Sequence, residues 1–274
     1  MAINLASKYS PQVDEAFTLA SVSEQAVNQD YEFSGVKTVN VYQVSTSAMN
    51  DYTRSGSDRY GTAAELADTV QELTLTKDRS FTFTIDRGNN DEQLMIKEAG
   101  KSLRRQIDEV VTPEVDKYRL NAISIAAPSG NVLVTTLTTS NAVDSIMEGT
   151  AALDELKVPQ LGRLLYVTPA TYKKIKLDDN FIKASDIGQD MLIKGQVGEV
   201  DGMAVVRVPA SYLPAKTNFL ITHKVATCAP ITLNEYKVHD NPPGISGWLV
   251  EGRIIYDAFV LTNKKNAIAV CKTA

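Results

Sequence analysis

The chain has 274 residues, of which 43% are apolar, enough for one large or two modest hydrophobic cores. Its formal charge of −5 and pI near 5.2, with no Lys/Arg-rich run, exclude a surface that condenses on nucleic acid. No apolar run approaches the roughly 18 residues of a membrane span, and no signal peptide is recognisable at Met1-Ala2-Ile3-Asn4. With only two cysteines, we expect a globular protein that folds in the cytosol with reduced thiols.

Residues 1–34 are polar and poor in glycine and proline, and we expect them to form an N-terminal arm. A weak helical spacing runs through Val13, Phe17 and Ala20, but too few apolar residues accumulate for a core. The arm should therefore be ordered by whatever it touches.

Two β-like runs follow the arm, at residues 36–45 and 72–86, and we expect them to pair as an antiparallel ribbon. The polar connection between them, residues 46–71, is of a length that is uncommon in compact domains unless it is functional. A two-stranded ribbon alone is only marginally stable in water. Its apolar residues therefore need a further surface, supplied either by a neighbouring copy of the chain or by the ribbon's own domain.

The one long helical pattern spans residues 90–126. Asn90 is placed to cap its N-terminus, with Gln93 as capping-box partner. Thr112-Pro113 interrupts the pattern and predicts a kink or a short break, because proline lacks the amide that a helix interior needs. At about 1.5 Å per residue the two pieces together would be roughly 50 Å long. Such a helix either braces an extended structure or forms the long core helix of an ordinary domain. Its apolar face begins with Met95, Ala99, Leu103, Ile107, Val110 and Val111.

After this helix, strand-like and helix-like segments alternate, which is typical of an α/β unit. The helix at 141–156 has Asn141 at its cap position, and Thr168-Pro169 begins a shorter helix. The end of the chain is β-rich and contains a turn at Asn241-Pro242-Pro243-Gly244. We expect the strands of this half at 132–137, 164–167, 204–208, 219–222, 231–238, 248–260 and 267–271.

Residues suited to catalysis or metal binding are rare in this chain. The histidines and cysteines form no ligand pair of the usual spacing, and we expect both histidines at the surface or at strand ends. Asp178-Asp179 could act as paired carboxylates, but adjacent acids at a helix end usually face solvent. The residues considered are His223, His239, Cys228 and Cys271.

The glycines at Gly195, Gly198 and Gly202 are spaced by three and four residues and precede a strand. A dinucleotide or phosphate loop requires a different spacing and a following helix, so this pattern fits tight turns. We therefore predict no catalytic, cofactor-binding or metal-binding residue, no cofactor, and a protein that is not an enzyme.

The order of these elements resembles that of the major capsid protein of tailed bacteriophages, whose Hong Kong-type fold encapsulin shells share. The resemblance covers nearly the whole chain. Its more specific stretches are residues 73–86 (LTLTKDRSFTFTID), residues 166–172 (YVTPATY) and residues 195–209 (Gly-x-x-Gly-x-x-x-Gly-x-x-Val-Val-x-Val-Pro).

The resemblance implies an α+β fold with five parts. An N-terminal arm leads into an extended β-hairpin loop (E-loop), and the long spine helix then opens a peripheral domain (P-domain). An α/β axial domain (A-domain) follows, and the last strands return to the P-domain before a final axial strand. In chain order the parts are residues 1–35, 36–89, 90–130, 131–229 and 230–274.

The function that this resemblance implies is self-assembly through hexamers and pentamers into an icosahedral shell around a double-stranded DNA genome. The DNA would be enclosed without sequence-specific binding, which suits the negative charge of the chain. The location implied is the virion capsid, assembled in the host bacterial cytoplasm with a portal protein and away from any membrane.

Two departures from relatives change these expectations. Only about 35 residues precede the ribbon, so we expect a separate scaffolding protein or none. No lysine, asparagine and glutamate triad for crosslinking can be matched, because Lys77 lies near the end of the ribbon, so we expect a non-covalent shell. Two other functions remain open: an encapsulin-like nanocompartment, and a soluble α/β enzyme or binding protein whose ribbon is an oligomerisation arm.

Overall fold

The computed structural model describes residues 21–28, 38–92, 98–178 and 198–274. The helical spacing at 13–20, the predicted cap partner Gln93, Met95 and Gly195 therefore lie outside the described residues. Among the described ranges, no helix has the length and hydropathy needed to cross a bilayer. The helices are α1 (Arg87–Glu92), α2 (Ala99–Gln106), a π-helical turn (Ile107–Val111), α3 (Thr112–Ile125), α4 (Ala142–Glu155) and α5 (Pro169–Lys176). The strands are β1 (Thr38–Val44), β2 (Asp68–Thr74), β3 (Lys77–Asp86), β4 (Val132–Val134), β5 (Arg163–Val167), β6 (Glu199–Val200), β7 (Met203–Arg207), β8 (Thr217–His223), β9 (Thr227–Cys228), β10 (Ile231–Asp240), β11 (Gly247–Tyr256), β12 (Phe259–Val260) and β13 (Ile268–Lys272).

A six-stranded mixed sheet in the order β4-β13-β8-β5-β7-β6 forms the larger core. Successive residues of β5 face opposite sides, as in any strand. Leu165 and Val167 pack on one side against α4 and α5, whereas Leu164 and Tyr166 pack on the other side with α3. Both faces of β5 are thus covered by helices, which explains why the strand is apolar at nearly every position.

A smaller antiparallel sheet in the order β10-β11-β3 packs on another face of α3. Val115 and Tyr118 of α3 contact Ile254 and Tyr256 of β11. Because Leu120 and Ile123 of the same helix belong to the larger core, α3 joins the two sheets. The α+β fold class predicted from the sequence is confirmed.

The ribbon differs from the prediction in its second strand. β1 pairs with β2, from Thr38 opposite Thr74 to Val44 opposite Asp68. The predicted pairing is wrong for β3, which pairs with β11 instead. The backbone amide and hydroxyl of Thr76 donate to the Asp257 carboxylate at 2.7 and 2.8 Å. This contact lies between β2 and β3, where the chain leaves the ribbon for the three-stranded sheet.

The spine helix also begins differently from the prediction. Asn90 is a buried residue inside α1, so its assignment as the cap is wrong. Asp86 has the capping role, because its carboxylate accepts a 3.0 Å hydrogen bond from the amide of Asn89. Thr112-Pro113 does not break the helix. The irregularity is the π-helical turn Ile107–Val111, directly before these residues.

Candidate assembly interface

The segment that joins β1 to β2, residues 45–67, is almost entirely exposed, and we call it the ribbon tip. Its hydrogen bonds in the structure are internal, for example from the Thr53 amide to the Arg59 carbonyl at 3.0 Å. Apolar side chains nevertheless project from it: Met49 is 99% exposed and Tyr60 is 84% exposed. Tyr52 contacts Tyr60 edge to face, with 5.0 Å between ring centroids. The tip therefore presents apolar and aromatic side chains that the described part of the chain leaves exposed.

The other end of the ribbon is anchored in the body of the protein. Val41 and Leu73 are buried in a cluster with Cys228 and Leu261. The Gln71 side chain donates to the carbonyl of Val260 at 3.1 Å and accepts from the amide of Thr262 at 2.9 Å. The base of the ribbon thus packs on its own chain, whereas the tip is exposed in the described part of the chain.

The charges of the ribbon tip are of both signs. No ion pair joins these charges to one another or to the rest of the described chain. Mixed charges around exposed aromatic and methionine side chains are typical of a protein-binding surface, because they favour a complementary partner over a polyanion or a lipid surface. The charged residues are Asp51, Arg54, Asp58, Arg59 and Glu65.

The described end of the N-terminal arm, residues 21–28, docks on α3 through a buried carboxylate. Asp116 is 2% exposed and accepts hydrogen bonds from the Ser21 hydroxyl at 2.8 Å, the Ser23 hydroxyl at 2.5 Å and the Val22 amide at 2.9 Å. Arg119, also buried, donates to the Ser23 hydroxyl at 3.4 Å. Burial lowers the pKa of Arg119, and the nearby Asp116 carboxylate opposes that shift. We call this arrangement the arm clasp.

Further contacts continue the docking of the arm. The Tyr166 hydroxyl donates to the Val22 carbonyl at 2.8 Å, and burial raises the pKa of that phenol. Ala26 is fully buried, and its carbonyl accepts from the Thr227 hydroxyl at 2.5 Å. This end of the arm is ordered by what it touches, as the sequence predicted. The sequence analysis did not identify the clasp residues.

The histidines have structural partners. His223 is the last residue of β8 and is buried, which agrees with the prediction of a surface or strand-end histidine. Its Nδ1 accepts from the amide of Val225 at 3.1 Å, and its Nε2 lies 2.9 Å from the carbonyl oxygen of Leu161. His239 is exposed on β10, 3.2 Å from a Glu251 carboxylate oxygen. Cys228 and Cys271 are both buried, and no disulfide joins them.

Asp178 departs from the prediction that it faces solvent. It is fully buried, and its carboxylate accepts a 3.1 Å hydrogen bond from the amide of Val143 in the first turn of α4. Asn141 precedes α4, but its side chain accepts from the Thr138 amide and makes no capping bond to the helix. Asp178 is therefore a structural carboxylate at the positive end of α4. Asp179 lies outside the described residues.

Gly202, the last of the three spaced glycines, lies in a tight turn. Asp201 and Gly202 have φ values of 51° and 70° and connect β6 to β7. Two central residues with positive φ are the geometry of a type I′ hairpin, which accounts for glycine at this position. In the described ranges, no group of three or more His, Cys, Asp or Glu side chains is placed to hold a metal ion.

The sheets, the spine helix and the anchored ribbon together define the class of this fold, which is the α+β fold found in phage capsid structures. A chain in a structure of Mycobacterium phage Che8 matches with a TM-score of 0.79 at 18% identity, covering 97% of this chain and 96% of the other. The capsid structure of the cyanophage P-SCSP1u gives a TM-score of 0.79 at 14% identity, covering 98% and 93%. The mature capsid of bacteriophage PhiM1 gives 0.75 at 11% identity, covering 98% and 92%. No protein-family model and no curated protein matches the sequence.

Proposed function

We propose that this chain is the major capsid protein of a tailed bacteriophage, which assembles through hexamers and pentamers into an icosahedral shell around double-stranded DNA. The fold supports this proposal, because phage capsid chains match it over nearly their whole lengths. The role is structural rather than enzymatic.

The observation that carries the proposal is the exposed ribbon tip on an anchored base. Among the described residues, the hydrogen bonds of the ribbon tip are internal, and the exposure of Met49, Tyr52 and Tyr60 contributes nothing to the fold of a single chain. Covering such side chains by a neighbouring copy would contribute about 1.5–3 kcal/mol for each one fully buried. In a closed shell the same contact recurs at every subunit, so modest contacts sum to a stable particle.

The parts of the chain have matching roles in this proposal. Residues 36–89 form the E-loop, with the β1–β2 ribbon as its projecting part and β3 as its root in the P-domain sheet. Residues 90–130 form the spine of the P-domain, and residues 131–229 form the A-domain. Residues 230–274 supply β10 and β11 to the P-domain sheet and β13 to the six-stranded sheet. Residues 1–35 are the arm.

The partners in this proposal are further copies of the chain, a separate scaffolding protein and a portal protein. The packaged DNA is enclosed without sequence-specific contacts, in keeping with the net charge of −5. Assembly takes place in the host bacterial cytoplasm, and the final location is the virion capsid.

The experiment is to purify the chain, with and without its scaffolding protein, and to measure particle mass by light scattering and particle shape by electron microscopy. Closed shells of uniform size are the expected result. A small shell that holds a protein cargo would favour the encapsulin-like alternative. A chain that stays a monomer or dimer under every condition would contradict both shell functions and favour a soluble enzyme or binding protein.

A tip variant tests the observation itself. Replacing Met49, Tyr52 and Tyr60 together by Ser should leave the unfolding midpoint of the unassembled chain unchanged and abolish closed shells. The matched control replaces Thr46, Thr53 and Thr62 of the same segment by Ser and should assemble normally. Shells formed by the Met49, Tyr52 and Tyr60 variant at wild-type yield would show that the tip does not hold the particle together.

A further inference from the structure

A second unusually exposed apolar side chain lies far from the ribbon in sequence. Leu161 is 90% exposed in the loop at 156–162, which joins α4 to β5. In the described part of the chain, only Met49 is a more exposed large apolar residue, and Tyr60 follows Leu161. Both of those belong to the ribbon tip. Leu156 and Pro159 of the same loop are also exposed.

Side chains beneath this loop hold it in one conformation. The buried guanidinium of Arg163 donates to the carbonyls of Val158 and Pro159 at 2.7 and 3.0 Å and to the carboxylate of Asp154 at 2.6 Å. Charge-assisted bonds of this kind are stronger than neutral ones. The loop backbone is therefore fixed at two successive carbonyls and tied back to α4.

Leu161 itself is held through its own carbonyl. Because His223 Nδ1 accepts the amide of Val225, its Nε2 carries the proton and donates to the Leu161 carbonyl over 2.9 Å. Gly162 follows with φ at +89°, and a Cβ atom there would lie 3.3 Å from His223 Nε2. Lys157 also adopts a positive φ, of 57°. The loop thus presents a leucine to solvent from a prearranged backbone, so covering it would cost little further ordering of the chain.

We propose that the α4–β5 loop, with Leu161 at its centre, is a second self-association surface that a neighbouring copy of this chain covers. This inference rests on the proposed shell function and extends it to a contact outside the ribbon. A single kind of heterologous contact closes a ring or extends a filament, so a closed shell requires at least one more kind of contact on each subunit. The loop is the one described place outside the ribbon tip with an almost fully exposed large apolar side chain.

The charges around the loop favour a protein partner of balanced charge. Lys157 is exposed next to the acidic Glu155, while the carboxylates of Asp154 and Asp201 are bonded to Arg163 and Thr150. This surface has neither the basic cluster that a polyanion or an anionic membrane requires nor a strong acidic field. Another copy of this chain, present at every position of a shell, fits it.

Leu161→Ser tests the inference. The side chain is not buried within the chain, so the unfolding midpoint of the unassembled protein should not change, whereas the concentration needed for shell assembly should rise about ten- to a hundredfold. Gln160→Ser, in the neighbouring exposed position, should leave both quantities unchanged. Assembly of Leu161→Ser at the wild-type concentration would overturn the inference while leaving the shell function intact. Loss of stability of the unassembled Leu161→Ser chain would also overturn it.

A labelling experiment detects the same contact in shells that still assemble. Both native cysteines are buried, so Leu161→Cys adds the one exposed thiol of the chain. We expect maleimide to modify this thiol rapidly in the unassembled chain and at least tenfold more slowly in shells assembled with a ninefold excess of wild-type chain. Equal rates in the two states would overturn the inference. Failure of the wild-type chain to form any shell would instead contradict the proposed function on which the inference rests.

Discussion

The arm clasp gives the sharpest prediction about the stability of the single chain. Replacing Asp116 by Ala removes a 2% exposed carboxylate that accepts hydrogen bonds from Ser21, Val22 and Ser23. The substitution also removes the larger of the two carboxylate charges that act on the buried guanidinium of Arg119, the other being that of Glu24. We expect the arm to detach from α3 and the free energy of unfolding to fall.

The size of the loss in unfolding free energy follows from the groups that remain after the substitution. The substitution leaves the arm's three donors to Asp116 without their acceptor, and each unsatisfied buried donor costs about 1–3 kcal/mol. These costs are not additive when the bonds share one carboxylate. We therefore expect Asp116→Ala to destabilise the chain by about 2–4 kcal/mol. Asp116→Asn keeps the shape and one acceptor oxygen, so its cost should be smaller, about 1–3 kcal/mol.

Two measurements check this expectation on the unassembled chain. Urea unfolding followed by circular dichroism gives the free energy of unfolding. The control is Lys117→Ala on the exposed side of α3, whose free energy of unfolding should lie within about 0.5 kcal/mol of wild type. Glu-C protease reports the arm directly, because Glu24 is exposed within the docked segment and cleavage after it should accelerate when the clasp opens. An Asp116→Ala chain with wild-type stability and unchanged cleavage after Glu24 would refute the reasoning.

Three further variants test the three-stranded sheet and its contact with the spine. Phe81→Ser with Phe83→Ser should lower the unfolding free energy of the single chain by about 1.5–3 kcal/mol in total, because both half-buried rings lie on β3 beside the spine and not on the ribbon. Denaturant unfolding measures this, and unchanged stability would place these rings in an assembly contact. Gly252→Ala should lower the unfolding free energy by about 1–3 kcal/mol in the same assay, because the added Cβ would collide with the Phe81 ring and lie 2.7 Å from Tyr236 Cδ1. Gly198→Ala is the control, because open space surrounds Gly198. Burial and the 2.7 Å hydrogen bond to Asp257 raise the pKa of Tyr118 from 10.0 to about 12. The stability that the protonated Tyr118 hydroxyl contributes to the fold is therefore present below pH 10 and is lost as the pH rises towards 12. Tyr118→Phe should flatten the fall in Tm over that interval, and an unchanged slope would contradict the assignment.

Local periodicity predicted the elements but not their neighbours. The alternation of Phe81, Phe83 and Ile85 identified a strand correctly, and the final strand was predicted within one residue of β13. Alternation shows which residues share a face of a strand, whereas the identity of the paired strand depends on contacts distant in sequence. β3 pairs with β11, and the Thr76–Asp257 contact between β2 and β3 joins residues 181 positions apart. No local signal distinguishes this arrangement from one continuous ribbon.

Polar residues were harder to place than apolar ones. Asn90 and Asp178 have the sequence context of a cap and a solvent-exposed acid, but both are buried by parts of the chain that the local pattern does not reveal. The clasp had a detectable signal. Asp116 lies four and seven residues before Leu120 and Ile123, so helical periodicity places its carboxylate on the buried face of α3. A charge at such a position indicates a polar partner elsewhere in the chain, which the arm supplies.

The ribbon tip lies almost entirely within the connection at 46–71, which the sequence marked only as polar and unusually long, and its exposed apolar side chains were not identified. Exposed apolar residues are common singly and need no explanation. Here they coincide with structure that would not otherwise require them: Met49 and Tyr60 extend from an anchored base, and Leu161 is fixed by Arg163 and His223. The same chain buries a carboxylate and a guanidinium in the arm clasp. The clasp stabilises the single chain, whereas the exposed apolar side chains contribute nothing to its folding and suit the proposed shell, in which a neighbour would cover them.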